Sequence, residues 1–194
     1  MQLLRMFSTE KVKGTRNYLN SQKKYEILRT VLYFAISLSL FTVGYIQTGS
    51  RMNLLTIVAV LGCLPASKSA VNAIMFLRFH SCGNSTGNAV AEHSEGLDCL
   101  FDCVFTSYKK NFPVAHIAVR GNIICGFSED TGFDENTFYS HIGDILKMDG
   151  HKNMTVKIFT NLSKYTERLE QLKLLENDET KTCSVLSTLK SVML

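Results

Sequence analysis

The sequence predicts a two-part chain: a membrane-spanning α-helical hairpin, then a small cytosolic α+β domain of order α-β-β-α-β-α-α on a three-stranded sheet. Three observations lead there. Residues 30–50, "TVLYFAISLSLFTVGYIQTGS", carry no charge and are rich in Leu, Phe, Ile and Val. A second apolar run opens at Leu54, only seven residues ("QTGSRMN") further on. Beyond residue 88 the apolar positions alternate between three-and-four spacing and two-residue spacing, the patterns of amphipathic helices and half-buried strands.

A helix needs about 20 mostly apolar residues to cross a hydrocarbon layer of about 30 Å. Both runs reach that length, and so short a connection joins only neighbouring antiparallel helices. The hairpin is therefore expected over residues 27–79, with spans at 27–47 and 53–79 and a bend near Pro65, where the chain loses a backbone donor. Ser67 is a candidate cap for an amphipathic continuation beyond that bend.

Charge orients the hairpin. Residues 1–29 hold seven basic residues (Arg5, Lys11, Lys13, Arg16, Lys23, Lys24, Arg29) against Glu10 and Glu26, whereas the hairpin loop holds only Arg51. The positive-inside rule then places both termini in the cytoplasm, and the chain is expected to be an integral protein of the plasma membrane. Residues 1–26 read as a basic cytosolic segment able to lie on anionic headgroups. The sequons at Asn84, Asn153 and Asn161 fall on the cytosolic side.

Lys23, Lys24, Arg29, Lys68 and Arg78 are the candidate membrane-interface or intramembrane residues. Lys68 is the pointed case, because it interrupts the apolar run "LGCLPASKSAVNAIMFLRF". Counted from Leu54, its Cα lies about 21 Å along the helix, leaving about 9 Å of hydrocarbon below it. A lysine stem reaches most of that distance toward water.

The "HSCGNSTGN" stretch at residues 80–88 reads as a linker to a domain at 89–194. Leu97, Leu100, Phe101, Val104, Phe105 and Tyr108 have helical spacing, predicting a helix over 90–109. Two strands flank Gly121-Asn122 as a hairpin. Phe138, Ile142, Ile145 and Met148 mark a helix capped by Asp134 and closed by Gly150. Met154, Val156 and Ile158 alternate as a third strand. Asn161 caps a helix carrying Leu162, Tyr165, Leu169 and Leu172, and a last helix runs from Glu179 with Val185, Leu186, Leu189 and Val192 inward. Three strands leave two open edges, which favours homo-oligomers.

Residues 80–194 hold 11 basic and 15 acidic residues, so nucleic-acid binding by this half is disfavoured. The six cysteines contain no C-x-x-C, and in the cytosol they stay reduced. The densest polar cluster is "AEHSEGLDCLFDC". On a helix, Asp98 and Asp102 share one face and Cys99 and Cys103 another. His93, Asp98 and Asp102 are thus the candidate catalytic residues, and Asp98, Asp102, Glu129 and Asp130 the candidate metal ligands. Acidic residues early in a helix also answer its dipole, which accounts for much of the cluster without chemistry. His116 and Cys125, on paired strands, form a weaker nucleophile-and-base candidate. No phosphate-loop, dinucleotide, zinc-protease or nucleophile-elbow motif occurs, and the single E-x-K, Glu179 to Lys181, falls outside any expected strand.

These readings favour a membrane-anchored, oligomeric cytosolic binding module without cofactor. Its expected partners are anionic lipid headgroups, further copies of itself, and a protein or small ligand for the cytosolic domain. Two alternatives stand beside it: a membrane-tethered metal-dependent hydrolase using Asp98 and Asp102, and an oligomeric pore gated by the cytosolic domain.

Overall fold

Two long helices open the fold, α1 over Tyr18–Thr48 and α2 over Leu54–Arg78. The computed structural model describes residues 12–108 and 110–194. The part of the basic segment before residue 12, and Lys109 at the end of the expected first domain helix, lie outside the described residues. Among the described residues two compact units emerge: Leu19–His80, and residues 12–18 together with Ser81–Leu194.

In the first unit, α1 starts nine residues before the expected 27, because Tyr18 to Glu26 continue the helix through polar side chains. Asn53 caps α2 by accepting from the Thr56 N–H. The helix passes through Pro65 without interruption, so the expected bend does not break it. Ser67 is an interior residue rather than a cap, and its hydroxyl donates to the Cys63 carbonyl at 2.7 Å.

The two helices meet along small side chains. Ala59, Ala66, Ser69 and Ala73 are buried, with Phe76 below them, and Gly62 completes the alternating three-and-four spacing. Large side chains point the other way: Ile46 is 79% exposed, Leu54 75% and Leu64 69%. A Cβ on Gly62 would sit 2.8 Å from the Ser37 Oγ, and one on Gly44 2.8 Å from the Leu55 Cβ. Small residues at such a seam let backbones approach closely.

The second unit carries α3 (Asn84–His93), β1 (Asp98–Thr106), β2 (Asn111–Arg120), β3 (Ile123–Phe127), α4 (Glu135–Met148), β4 (Thr155–Phe159), α5 (Leu162–Lys173) and α6 (Glu179–Val192). Its order is α-β-β-β-α-β-α-α, and the sheet has four strands in the order β1-β2-β3-β4 rather than three. The first three form an antiparallel meander, and β4 lies parallel to β3 after the α4 crossover.

The chain departs from two expectations. The linker over 80–88 contains the start of α3, and the helix over 90–109 is instead α3, a turn and β1. Gly96, at φ +81°, ends the helical path after His93. The apolar residues of β1 mimic helical spacing because the strand is covered on both faces and buried almost continuously from Leu100 to Phe105.

Helices α4 and α6 cover one sheet face, around Phe105, Phe112, Ile117, Phe138, Ile142 and Leu189. Helices α3 and α5 cover the other, around Val90, Ala118, Phe127, Tyr165 and Leu169. At Asp102, φ +53°, the apolar phase of β1 changes. Phe101 faces the α3–α5 side, whereas Cys103 and Phe105 both face the α4–α6 side.

Both sheet edges are engaged. Along β1, Gly14 O accepts from the Phe101 N–H at 2.8 Å, and the Leu194 N–H donates to Val104 O at 2.9 Å. Along β4, the Ile158 N–H donates to the Tyr139 hydroxyl at 3.0 Å. The residues just before α1 are thus part of this unit rather than a free tail. Lys13 Nζ donates to Met193 O at 2.9 Å, and Arg16 to the Asn88 Oδ1 at 2.6 Å.

Candidate functional site

The charged end of the hairpin is the most organised polar feature of the first unit. Gln22 donates to the Glu26 carboxylate at 3.1 Å, and Glu26 pairs with the Arg29 guanidinium one turn on. From α1, Arg29 Nε donates to Ser69 Oγ on α2 at 3.2 Å, and the Thr30 and Ser69 hydroxyls meet at 2.9 Å. Arg29 is therefore a clamp between the helices rather than a free interface cation.

The contacts Thr30 with Ser69, Ser37 with Gly62, and Gly44 with Leu55 climb α1 in sevens while descending α2 in sevens. That constant register fixes heights. Lys68 lies level with Thr30 and Val31, about 26 Å along the axis from Thr48. It points outward and is exposed, as are Lys24 and Arg78, while Lys23 is half-buried.

Within Leu19–His80 there are six cations and one acid, Glu26, which Arg29 already engages. No acidic residue occurs between Glu26 and Glu92.

In the second unit, the predicted carboxylates do not converge. Asp98 and Asp102 lie four residues apart along a strand, about 13 Å, too far to share one ion. Asp98 lines a shallow groove of about 660 Å³ with Lys13, Lys190, Ser187 and Ser191. Asp102 is buried, and its Oδ1 accepts from the Cys82 N–H at 2.9 Å. Its Oδ2 meets no hydrogen-bond partner among the described residues. His93 turns to α5, where its Nδ1 lies 2.9 Å from the Glu170 Oε1. Cys99 and Cys103 face opposite sides of the sheet instead of sharing one.

The acidic loop is engaged by the start of α3 and by its own backbone. Glu129 Oε1 lies 3.4 Å from the Gly83 N–H and 3.6 Å from the Cys82 thiol. Asp130 accepts from the Gly132 N–H, and Asp134 caps α4 through the Thr137 N–H and hydroxyl. Those Thr137 bonds hold the Asp134 carboxyl below its ordinary range. Among the described residues, no three His, Cys, Asp or Glu side chains stand together as a metal site.

The thiols are quiet. Burial, then Glu129, pushes Cys82 up to about 12, and burial raises Cys99, Cys103 and Cys125 as well. All four stay protonated at neutral pH, and a thiol is a poor nucleophile beside its thiolate. His116 stands opposite Phe127, and Cys125 opposite Ala118, so the two are not cross-strand partners. Instead, His116 Nδ1 meets the Tyr165 hydroxyl at 2.6 Å, and that hydroxyl donates to Cys125 O at 3.4 Å. Burial lowers the His116 pKa to about 3, so the ring is neutral.

Sequence reasoning missed one further cluster. Thr188 on α6 donates to the Asp149 carboxylate, and His151 Nε2 lies 3.2 Å from the same hydroxyl. Asp149 and Thr188 both approach the same imidazole nitrogen, so the hydroxyl has no separately oriented base. The cluster ties the end of α4 to α6. Its three members are 39 residues apart at the widest, and no local spacing signals it.

No family model, curated protein or solved structure matches this chain.

Proposed function

We propose that the chain is a membrane-anchored binding module: the hairpin crosses the bilayer, both termini lie in the cytoplasm, and the α/β unit presents its surface to a cytosolic partner. The observation that carries this is the inverted burial of the hairpin. Its small residues face inward and its large aliphatic ones outward, the reverse of a water-soluble pair of helices.

The register supports the anchoring of Lys68. If the hydrocarbon layer starts at Thr48 and is about 30 Å deep, Lys68 lies about 4 Å inside its near boundary. A lysine stem of roughly 6 Å spans that gap, and Lys23, Lys24 and Arg78 fall beyond it among the headgroups. The cationic end then meets anionic lipid, each nearby cation contributing on the order of 1 kcal/mol. The widely spaced carboxylates and protonated thiols favour binding over catalysis. Homo-oligomers, on this reading, form through the outward aliphatic faces of the hairpin, since the sheet edges are engaged by the chain itself.

Sided thiol labelling tests the topology. Cys183 is exposed and Cys125 buried, so Cys183 is the reporter. An impermeant maleimide is expected to modify Cys183 only when the cytoplasmic face is open to it. Labelling of Cys183 from the outer face of intact cells would reverse the orientation.

A further inference from the structure

The hairpin leaves one cation at the hydrocarbon boundary without a counter-charge in its own unit. Glu26 is the only acid in Leu19–His80, and Arg29 engages it. Lys68, at nearly the same height, has no hydrogen bond or ion pair from its side chain among the described residues. Asn72 lies one turn below on the same flank of α2, partly exposed, and its carboxamide is likewise without a partner among the described residues. Side chains four apart on a helix are neighbours, so the ammonium and the amide N–H groups can reach one acceptor. At this height, hydrocarbon lies above and headgroups below.

We infer that Lys68 and Asn72 form a binding site for the phosphate of an anionic phospholipid, distinct from the diffuse attraction of the other cations. This rests on the anchoring reading above. The phosphate supplies the counter-charge that Lys68 lacks in its own unit. Its remaining oxygens accept from Asn72, which gives the site a second, geometric requirement. Such a contact holds one lipid in place, whereas Lys23, Lys24 and Arg78, further into the headgroup layer, sense only surface potential. Charge-assisted hydrogen bonds of this kind are the strong ones, and a phosphate with two donors gains both energy and orientation.

The test is native mass spectrometry of the full chain, purified in detergent with equimolar phosphatidylglycerol and phosphatidylcholine, reading the lipid retained. The chain is expected to retain phosphatidylglycerol preferentially. Lys68→Gln should lower that retention about tenfold, the equivalent of about 1.4 kcal/mol. Asn72→Leu should lower it by a smaller factor, Lys68→Arg should preserve it, and Arg51→Gln, at the opposite end, should leave it unchanged. Equal retention in Lys68→Gln and the unaltered chain would overturn the site. So would displacement of the lipid by millimolar inorganic phosphate, which would assign the two donors to a free anion.

Alkaline carbonate extraction separates this from the anchoring reading. If membranes release the unaltered chain, both readings fail. If they hold it while Lys68→Gln keeps its lipid, only the site fails.

Discussion

His116 shows what a single buried residue does to this unit. It lies fully buried, edge-on to Phe101 with ring centroids 4.4 Å apart, and bonded to Tyr165. Its folded pKa, about 3, is depressed from an ordinary 6.5, so the unfolded chain takes up the proton first as pH falls. The stability held by the neutral ring is therefore complete above pH 6.5 and lost progressively toward pH 3. The slope is on the order of 1.4 kcal/mol per pH unit from this residue alone. His116→Phe should flatten the acid limb of a denaturation profile between pH 6.5 and 4; an unchanged slope would mean other groups set it. At this scale the caps were readable in advance. Asp134 and Asn161 sit where a short polar side chain precedes an apolar helical pattern, and both accept the expected N–H. Asp102 was not readable, because nothing local asks a buried aspartate for a positive φ.

At the scale of elements, the outer strands decide whether the sheet grows. β4 is only five residues long, and its Ile158 N–H is satisfied by the Tyr139 hydroxyl from α4. An unpaired strand edge is a template for another strand. Tyr139→Phe removes that cap while keeping the ring, and should cost about 1 kcal/mol. It should also raise self-association in analytical ultracentrifugation; a variant that stays as dispersed as the parent chain would show that the short strand and Lys157 suffice. Helices α4, α5 and α6 lie where periodicity and caps place them, because each buries a single stripe, although in α4 Leu146 and not the exposed Met148 completes it. β1 does not, because burial on both faces erases the two-residue rhythm by which a strand is recognised. The hairpin seam is legible in the sequence only as a spacing of small residues. Ala59, Gly62, Ala66, Ser69 and Ala73 keep three-and-four spacing, yet the attention that large apolar residues attract conceals a pattern carried by small ones.

At the scale of the whole molecule, the second unit is assembled from both sides of the hairpin. Gly14 and Phe101 share a hydrogen bond across 87 positions of sequence, and Lys13 reaches the carbonyl of Met193. Gly14 has φ +80°, and a Cβ there would lie 2.5 Å from the Leu100 Cδ2. Gly14→Val should therefore lift the N-terminal strap from β1 and destabilise the unit by about 1–3 kcal/mol. Thermal unfolding should register the loss, and protease should cut sooner at Lys13 and Arg16. A melting temperature equal to that of the parent chain would mean the strap rests on the sheet without supporting it.

What the sequence alone determined is whatever a short stretch can satisfy by itself. A helix makes its backbone hydrogen bonds within its own segment, so composition, spacing and caps disclosed the two long apolar helices and the later amphipathic ones. The tight turn at Gly121-Asn122 belongs to the same class. Tertiary structure decided the rest. β1 takes its backbone partners from residues 111–119, from Gly14 and from Leu194, and no window of sequence around Asp98 contains them. The same dependence separated Asp98 from Asp102, joined Arg29 to Ser69, and left Lys68 with a height along the hairpin that only the register between two helices could set.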